Sequence, residues 1–449
     1  MPHQDTHQSP TNLQALKAIF GDLIPLHVDQ LPRHGNATIS PQSLIAVAIA
    51  CWGWTTEGTL SDRVATAVKA VGRFFPLKKT ITRQGLMNAL RSCGTELVDQ
   101  VVDHFAARTR TELRGHWSSG GRANIAVDGT KFMAPRTQAN QASFAPDAAR
   151  KKKGHKPKEY NSEADKAKAK TVQLLVTVFY HIGSGLPIRW RVNSSSGSER
   201  KNVVEQLDEL PANARLIGDA EYVGYPLWKS IIQSRRTFLF RVGSNVKLLK
   251  NLGEYHFKDG YVYYWPDASR RREEQPLVFR LIQIHNGKEA VYLVTNELDM
   301  TDEQASMLYR QRWDIEVFFR SVKQSCQRSK LCCQTPDNVL TEIHWTLLGI
   351  WAALFVGKQT FHDQKEPLSR LSPVKLIRAC HLALLAVALR AQDAPLLMDE
   401  LRRAFKADES GRKRSKQSRN YPRKRKHRPP KPPVLIDATA EQRREARKH

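Results

Sequence analysis

Three features predict an α/β chain with flanking helices and a helical N-terminal region. Apolar residues recur at helical spacing between Leu13 and Arg114. Strand-like runs broken by turn residues begin at Arg122, and a capped, strongly periodic helix opens at Thr301. The chain has 449 residues, 41% of them hydrophobic, enough for about three core-forming units. The expected boundaries are a helical region at 1–117, an α/β domain made of 118–242 and 299–400, a β-rich insertion at 243–298, and a basic disordered tail at 401–449.

In the first region, Val64, Ala67, Val68 and Val71 fall on one helical face. Thr82 is placed to cap a second helix carrying Leu86, Met87 and Leu90. The two helices flank a turn at Phe75-Pro76, a candidate helix-turn-helix with Arg83, Gln84 and Asn88 on its second helix. An ordinary pair of bundle helices fits the same pattern.

From Arg122 the order is strand with acid, hairpin, helix, strand with acid. Ala123 to Asp128 is the first strand. Thr171–Ile182 and Leu186–Val192 form a hairpin through Gly183-Ser-Gly185. Ser198 opens a helix reaching Leu210, Ala214–Gly218 delivers Asp219, and Phe238–Val242 is the next strand. Lys247 to Asn296 is rich in Tyr, Val, Ile and Phe and reads as a small β-unit. Thr301-Asp-Glu-Gln304 is a capping box for a helix expected to run to about Cys326.

The 71 Lys and Arg against 44 Asp and Glu leave a net charge of +27, which excludes an average metabolic enzyme and asks for a polyanion. Arg402–Lys431 holds 14 basic and two acidic residues, including Lys424, Arg425 and Lys426; Arg150–Lys170 holds nine basic and three acidic. Both read as solvated arms attracting phosphates without reading sequence. The largely apolar run Trp345–Val356 is 12 residues, short of the roughly 20 that span a bilayer, and reads as a core helix. The polar N-terminus with Pro2 and Pro10 is no secretory signal. Six cysteines without a CxxC spacing read as reduced thiols, so a soluble, cytoplasmic protein is expected.

Tyr309, Arg312, Glu316 and Lys323 fall within about 60° on one face of the helix. A carboxylate flanked by a phenol, a guanidinium and an amine suits a site holding metal and phosphate together, although an i,i+4 surface pair would explain Arg312 and Glu316 as well. Asp128 and Asp219 each end an expected strand, where a lone aspartate is usually a turn former. Together with Glu316 they supply three carboxylates, the minimum for a hard cation such as Mg²⁺ and for phosphoryl transfer on two ions.

Tyr309-x2-Arg312-x3-Glu316-x6-Lys323 resembles the Y-(2)-R-(3)-E-(6)-K signature of the IS-four family of bacterial DDE transposases. The resemblance extends to Val127-Asp-Gly-Thr130 and to Gly218-Asp-Ala-Glu-Tyr-Val-Gly-Tyr225, covering about 122–323. It implies a ribonuclease-H-like mixed sheet with flanking helices, interrupted by the β-rich insertion. Asp128, Asp219 and Glu316 would be catalytic and bind two Mg²⁺, with Mn²⁺ able to substitute. Arg312 and Lys323 would hold phosphates and Tyr309 the strand backbone; Trp265 is the candidate, by position, for stacking a flipped base.

The resemblance thus implies a cut-and-paste DNA transposase binding insertion-sequence ends and target DNA, often through a hairpin intermediate. It would work as a homodimer or higher oligomer in a synaptic complex, nucleoid-associated in a bacterial cytoplasm. Arg83, Lys424, Arg425 and Lys426 are further DNA-binding candidates, and region 1–117 a DNA-binding one. The alternatives are a catalytically silent transposase-derived regulator and another ribonuclease-H-like nuclease. Residues 131–170, unusually long, polar and basic, have no assigned place.

Overall fold

The computed structural model describes residues 9–25, 28, 39–77, 80–144, 172–286, 289–406 and 431–449. Lys424, Arg425 and Lys426, and the whole of the basic stretch 150–170, lie outside them. Helices α1 (Asn12–Leu23), α2 (Pro41–Ile49), α3 (Leu60–Val71), α4 (Arg83–Ser92) and α5 (Gly94–Glu112) lead into strand β1 (Ala123–Met133). Capping explains their starts: Thr11 and Thr59 form capping boxes, and Ser40 and Thr82 each accept an N–H from the first turn. Helix α6 (Gln138–Phe144), the hairpin β2 (Gln173–His181) and β3 (Leu186–Ser194), α7 (Glu199–Gln206), β4 (Ala214–Gly218), α8 (Tyr225–Gln233) and β5 (Thr237–Val242) follow.

β1 organises the sheet. It pairs antiparallel with β2 and parallel with β4, which is parallel to β5 in turn, giving the local order β3-β2-β1-β4-β5. Side chains alternate between two cores, as strand geometry requires. Ile125 and Val127 face one core with α7 and α8, through Val203 and Trp228; Ala126 faces the other with the remaining helices. With both faces covered, the strands read as nearly continuous apolar runs.

The insertion is not a separate unit. Its strands β6 (Lys247–Lys250), β7 (Tyr261–Tyr264), β8 (Leu277–Asn286) and β9 (Glu289–Thr295) extend the same sheet, because β9 pairs antiparallel with β5, Leu239 opposite Thr295. Short helix α9 (Asp267–Arg270) sits between β7 and β8. Glu297, just after β9, accepts from Arg122 Nε at 2.9 Å and Arg215 Nε at 2.5 Å, pinning the starts of β1 and β4 to the end of β9.

After α10 (Asp302–Gln311) and α11 (Trp313–Arg320) come α12 (Pro336–Asp363), α13 (Pro373–Leu389) and α14 (Leu397–Arg402). By length and composition α12 has a stretch apolar enough to cross a membrane, longer than the 12-residue run, but most of it is buried in the protein, with Trp345 and Trp351 at its centre. It is the spine of the helical core. The N-terminal helices are not a detached domain either. Residues 50–54, a π-helical turn extending α2, cross α12 where two glycines meet, and a Cβ at Gly53 would lie 2.2 Å from the Gly349 backbone. Trp54 Nε1 donates to Gly349 O at 3.1 Å across this crossing.

Two further expectations need correction. Residues 72–82 separate α3 from α4, far more than the three or four residues of a helix-turn-helix, so the pair belongs to the bundle. The tail 401–449 is not disordered throughout, because Val434–Asp437 forms β10, parallel to β6, and Ala440–Ala446 forms α15 under a Thr439 capping box. Leu435 and Ala438 are the apolar residues that make this docking favourable.

Candidate active site

The register of the parallel strands builds the centre. Ala126 lies opposite Ile217 and Gly218 opposite Phe240; two further residues along β1, and one along β4, set Asp128, Asp219 and Arg241 in a row. Neighbouring strands are about 4.8 Å apart, so the three side chains share one face at the carboxyl ends of three parallel strands. β1 does not end at Asp128 as expected. It runs on to Met133 against β2, Asp128 facing Val178, while β4 turns away, leaving the carboxylate an open side. Asp219 is a turn former as well, its Oδ1 accepting Glu221 N–H at 2.8 Å.

Electrostatics mark Asp128 as the strained member. Burial pushes its carboxyl up to about 7; Arg312 opposes this, Asp219 and Glu199 add to it, and the Gly129 N–H at 2.9 Å opposes it. Burial likewise raises Glu199, whose carboxylate accepts Tyr222 OH at 2.7 Å.

The opposing helix is segmented. The capping box at Thr301 and Gln304 is present, but α10 stops at Gln311, α11 restarts at Trp313, and Ser321–Ser325 is a π-helical turn. Arg312 lies in the first break. Its Nη2 donates to Glu316 Oε1 at 2.9 Å, its guanidinium lies 5.5 Å from the Tyr309 ring centre, and Asp128 helps hold it charged. The π turn carries Lys323, whose Nζ donates to Thr130 Oγ1 and lies 5.1 Å from the Phe132 ring centre. Burial lowers its pKa while Asp128 opposes that. Tyr309 is buried and hydrogen-bonded to Arg241. Thus the three acids, Arg312, Lys323 and Tyr309 come to one region. Among the described residues no three acidic, His or Cys side chains close into a metal cage; Arg312, bonded to Glu316 and coupled to Asp128, supplies the positive charge there.

Trp265 needs correcting. It is only 4% exposed, its Nε1 donates to Glu274 O at 2.6 Å, and it lies in a small core with Tyr225, Leu249 and Ala438. No ring face is open to a base. The exposed indole is Trp313, 51% accessible and next to Arg312. Arg83, Gln84 and Asn88 are exposed on α4, away from its buried Leu86, Met87 and Leu90. Sequence reasoning misses Glu199, Arg241 and Trp313. Tyr222 lies inside the Gly218–Tyr225 segment, whereas Glu199 is an unremarkable first helical residue and Arg241 a single cation in an apolar strand.

A family model described as the transposase DDE domain matches residues 119–351, more than half of the chain and every acid named above. The transposase InsG for insertion sequence element IS4 of Escherichia coli (strain K12) is 22% identical over 284 residues, covering 60% of each chain, so the protein matches less than two thirds of that relative's length. Among solved structures, the piggyBac transposase synaptic complex with hairpin DNA, seen by cryo-EM, aligns with a TM-score of 0.41 and 14% identity over 91% of this chain and 88% of that one. The family match spans β1, β4 and the helix of Glu316, the elements that assemble the acidic row, and the chain belongs to the transposase DDE domain family.

Proposed function

We propose that the protein is a DNA transposase that binds insertion-sequence ends, cleaves them by metal-dependent phosphoryl transfer and joins the 3′-hydroxyl ends to target DNA. The observation carrying this is the row of Asp128 and Asp219 on adjacent parallel strands, under the helix of Arg312 and Glu316. The order β3-β2-β1-β4-β5, with its antiparallel hairpin and parallel half, supports a ribonuclease-H-like core.

The donors suit a hard cation in kind: carboxylate oxygens only, with Asp219 adding to the cost of charge on buried Asp128. Asp128, Asp219 and Glu316 would hold divalent metal, read as two Mg²⁺ ions with Mn²⁺ able to substitute. Bound there, metal supplies charge that activates the attacking oxygen and stabilises the leaving one. The chain's own groups do the rest. Lys323, fixed on Thr130, presents an ammonium beside Asp128, where a non-bridging phosphate oxygen is to be held. Arg312 and Arg241 flank the row, guanidinium forks suited to phosphate, and Tyr309 stiffens both. Trp313 replaces Trp265 as the surface on which a base can stack. Exposed Arg83, with the basic 424–426 run, adds backbone contacts. Action as a homodimer or higher oligomer on paired ends, in a bacterial nucleoid, completes the reading.

Nicking of terminal-inverted-repeat DNA tests it. Asp128→Asn, Asp219→Asn and Glu316→Gln should each lower the cleavage rate more than about 1,000-fold while end binding stays within a few-fold. A triple variant that still nicks in Mg²⁺ overturns the reading. Wild type that binds ends tightly yet fails to cut with any divalent ion identifies a silent regulator.

A further inference from the structure

We propose that Thr130 is a further catalytic residue: its hydroxyl, held by Lys323, donates to a non-bridging oxygen of the phosphate to be cut. The proposal rests on the reading of the centre as one that cleaves DNA.

Strand geometry puts Thr130 in reach. Side chains two apart on a strand share a face, so Ala126, Asp128, Thr130 and Phe132 form one stripe along β1. Ala126 and Phe132 both enter the core of the helical side, which fixes the face that the stripe occupies. β4 pairs with β1 only as far as Ala126, whereas β2 continues, with Val176 opposite Thr130. Thr130 is half-buried there.

Lys323 meets this stripe because the chain after its π turn is laced to the end of β1. Met133 N donates to Ser329 O at 3.2 Å, and Leu331 N to Met133 O at 2.8 Å. The turn itself closes through Cys326 N on Ser321 O at 3.0 Å. The ammonium is thereby set to donate to Thr130 Oγ1, with the Phe132 ring centre 5.1 Å away.

The direction of that bond is forced. An ammonium has three N–H donors and no lone pair, so the threonine must accept, and its own O–H is left to donate elsewhere. Among the described residues that O–H has no acceptor; Asp128, two residues back, takes its hydrogen bond from the Gly129 N–H instead. A mere anchor for Lys323 could be any acceptor, a backbone carbonyl included. A hydroxyl adds a donor of its own, and the ammonium on its oxygen strengthens that donor. An anionic oxygen bridging Lys323 and Thr130 uses donors on both, beside Asp128, and a phosphodiester supplies such an oxygen.

Cleavage and binding of terminal-inverted-repeat duplexes by the full-length protein test this. In Mg²⁺, Thr130→Val, which keeps the branched shape and loses the hydroxyl, should cut at least about 30-fold more slowly, and Thr130→Ser should recover most of that loss. In EDTA, binding is measured with the phosphate at the cleavage position replaced by each methylphosphonate diastereomer, which lacks one of the two non-bridging oxygens. Wild type should bind one diastereomer about tenfold more weakly than the other, and Thr130→Val should narrow that gap severalfold. Thermal melts establish folding, and Thr130→Ala replaces the valine variant if that one does not fold. Slower cutting with an undiminished gap would make Thr130 only a support for Lys323 and overturn the proposal, as would cutting at the wild-type rate. If wild type itself neither cuts nor distinguishes the diastereomers, the reading of the whole centre fails; if wild type does both, the variant decides the role of Thr130 alone.

Discussion

The Gly53–Gly349 crossing and the Asp128–Asp219 row are two close meetings of chain built on opposite principles. At the crossing, backbones touch because neither residue has a side chain, and Trp52, Trp54, Ile350 and Trp351 close around them. Nothing further is needed to complete it. At the row, strand register sets the carboxylates side by side, and burial, with Asp219 beside it, makes charge on Asp128 unfavourable, Arg312 being partial compensation. A region finished by its own chain maximises packing; a region finished by a ligand keeps charge unbalanced until that ligand arrives. Gly53→Val should accordingly be the most damaging change. Its side chain has only the Gly349 backbone to displace, and a loss on the order of 4–5 kcal/mol, or failure to fold, is expected in denaturant unfolding. A loss under about 1 kcal/mol would mean that the two helices part easily.

The opposite sign is expected at the row. The ordinary carboxyl value of Asp128, 3.8, is raised to about 7 in the fold. Its contribution to stability is therefore fully present below pH 4 and lost as pH rises through about 7. Without divalent metal, Asp128→Asn should be more stable than wild type at pH 8, by roughly 3 kcal/mol after allowance for solvent screening, with no difference at pH 4. Thermal melts in EDTA across that range check it, and equal melting at pH 8 would show that the acid is not strained. Added Mg²⁺ should stabilise wild type and leave the variant unmoved.

The same contrast explains what could be read from the sequence. The helix carrying Tyr309, Arg312, Glu316 and Lys323 was legible because helical spacing is local, and Asp128 and Asp219 because each follows a β-branched or apolar run. Their adjacency was not, since it depends on which strands pair. Arg241 reaches the centre only through that pairing. The breaks at Arg312 and Ser321–Ser325 leave the helical periodicity almost unchanged, so one continuous helix was expected. Residues 243–298 and 431–449 were legible as strand-forming and basic, respectively, but their docking onto one sheet rests on β5–β9 and β10–β6 partners far apart in sequence.

Between the two regions lies a connection that can be weakened more gently. Glu342, fully buried on α12, accepts the N–H of Cys332 at 2.9 Å and of Cys333 at 3.0 Å, just beyond the π turn of Lys323. Nearby, buried Arg328 donates to Thr55 O at 2.6 Å and Trp52 O at 3.3 Å, tying that loop to the crossing. Glu342→Gln turns an amide N–H₂ toward backbone donors and removes the negative charge that acts on buried Arg328. A loss of about 2 kcal/mol in denaturant unfolding is expected. If cleavage falls while stability does not, the loop positions Lys323 more than it holds the core.

The smallest effect on the fold, and one confined to binding, belongs to Lys424, Arg425 and Lys426. The sequence around these three cations is almost wholly basic and polar, so their replacement by alanine is expected to remove charge above all. The melting temperature should not move. Each phosphate contact contributes about 0.9 to the slope of log affinity against log salt, so losing three should flatten that slope by about 3 units and weaken binding to all DNA alike. Binding assays on terminal-repeat and random duplexes at several salt concentrations measure both quantities. A change in the ratio between the two duplexes would show that the run reads bases. An unchanged slope would transfer the counterion release to folded cations such as Arg312, Arg241 and Lys323, where charge and packing cannot be separated by a single substitution.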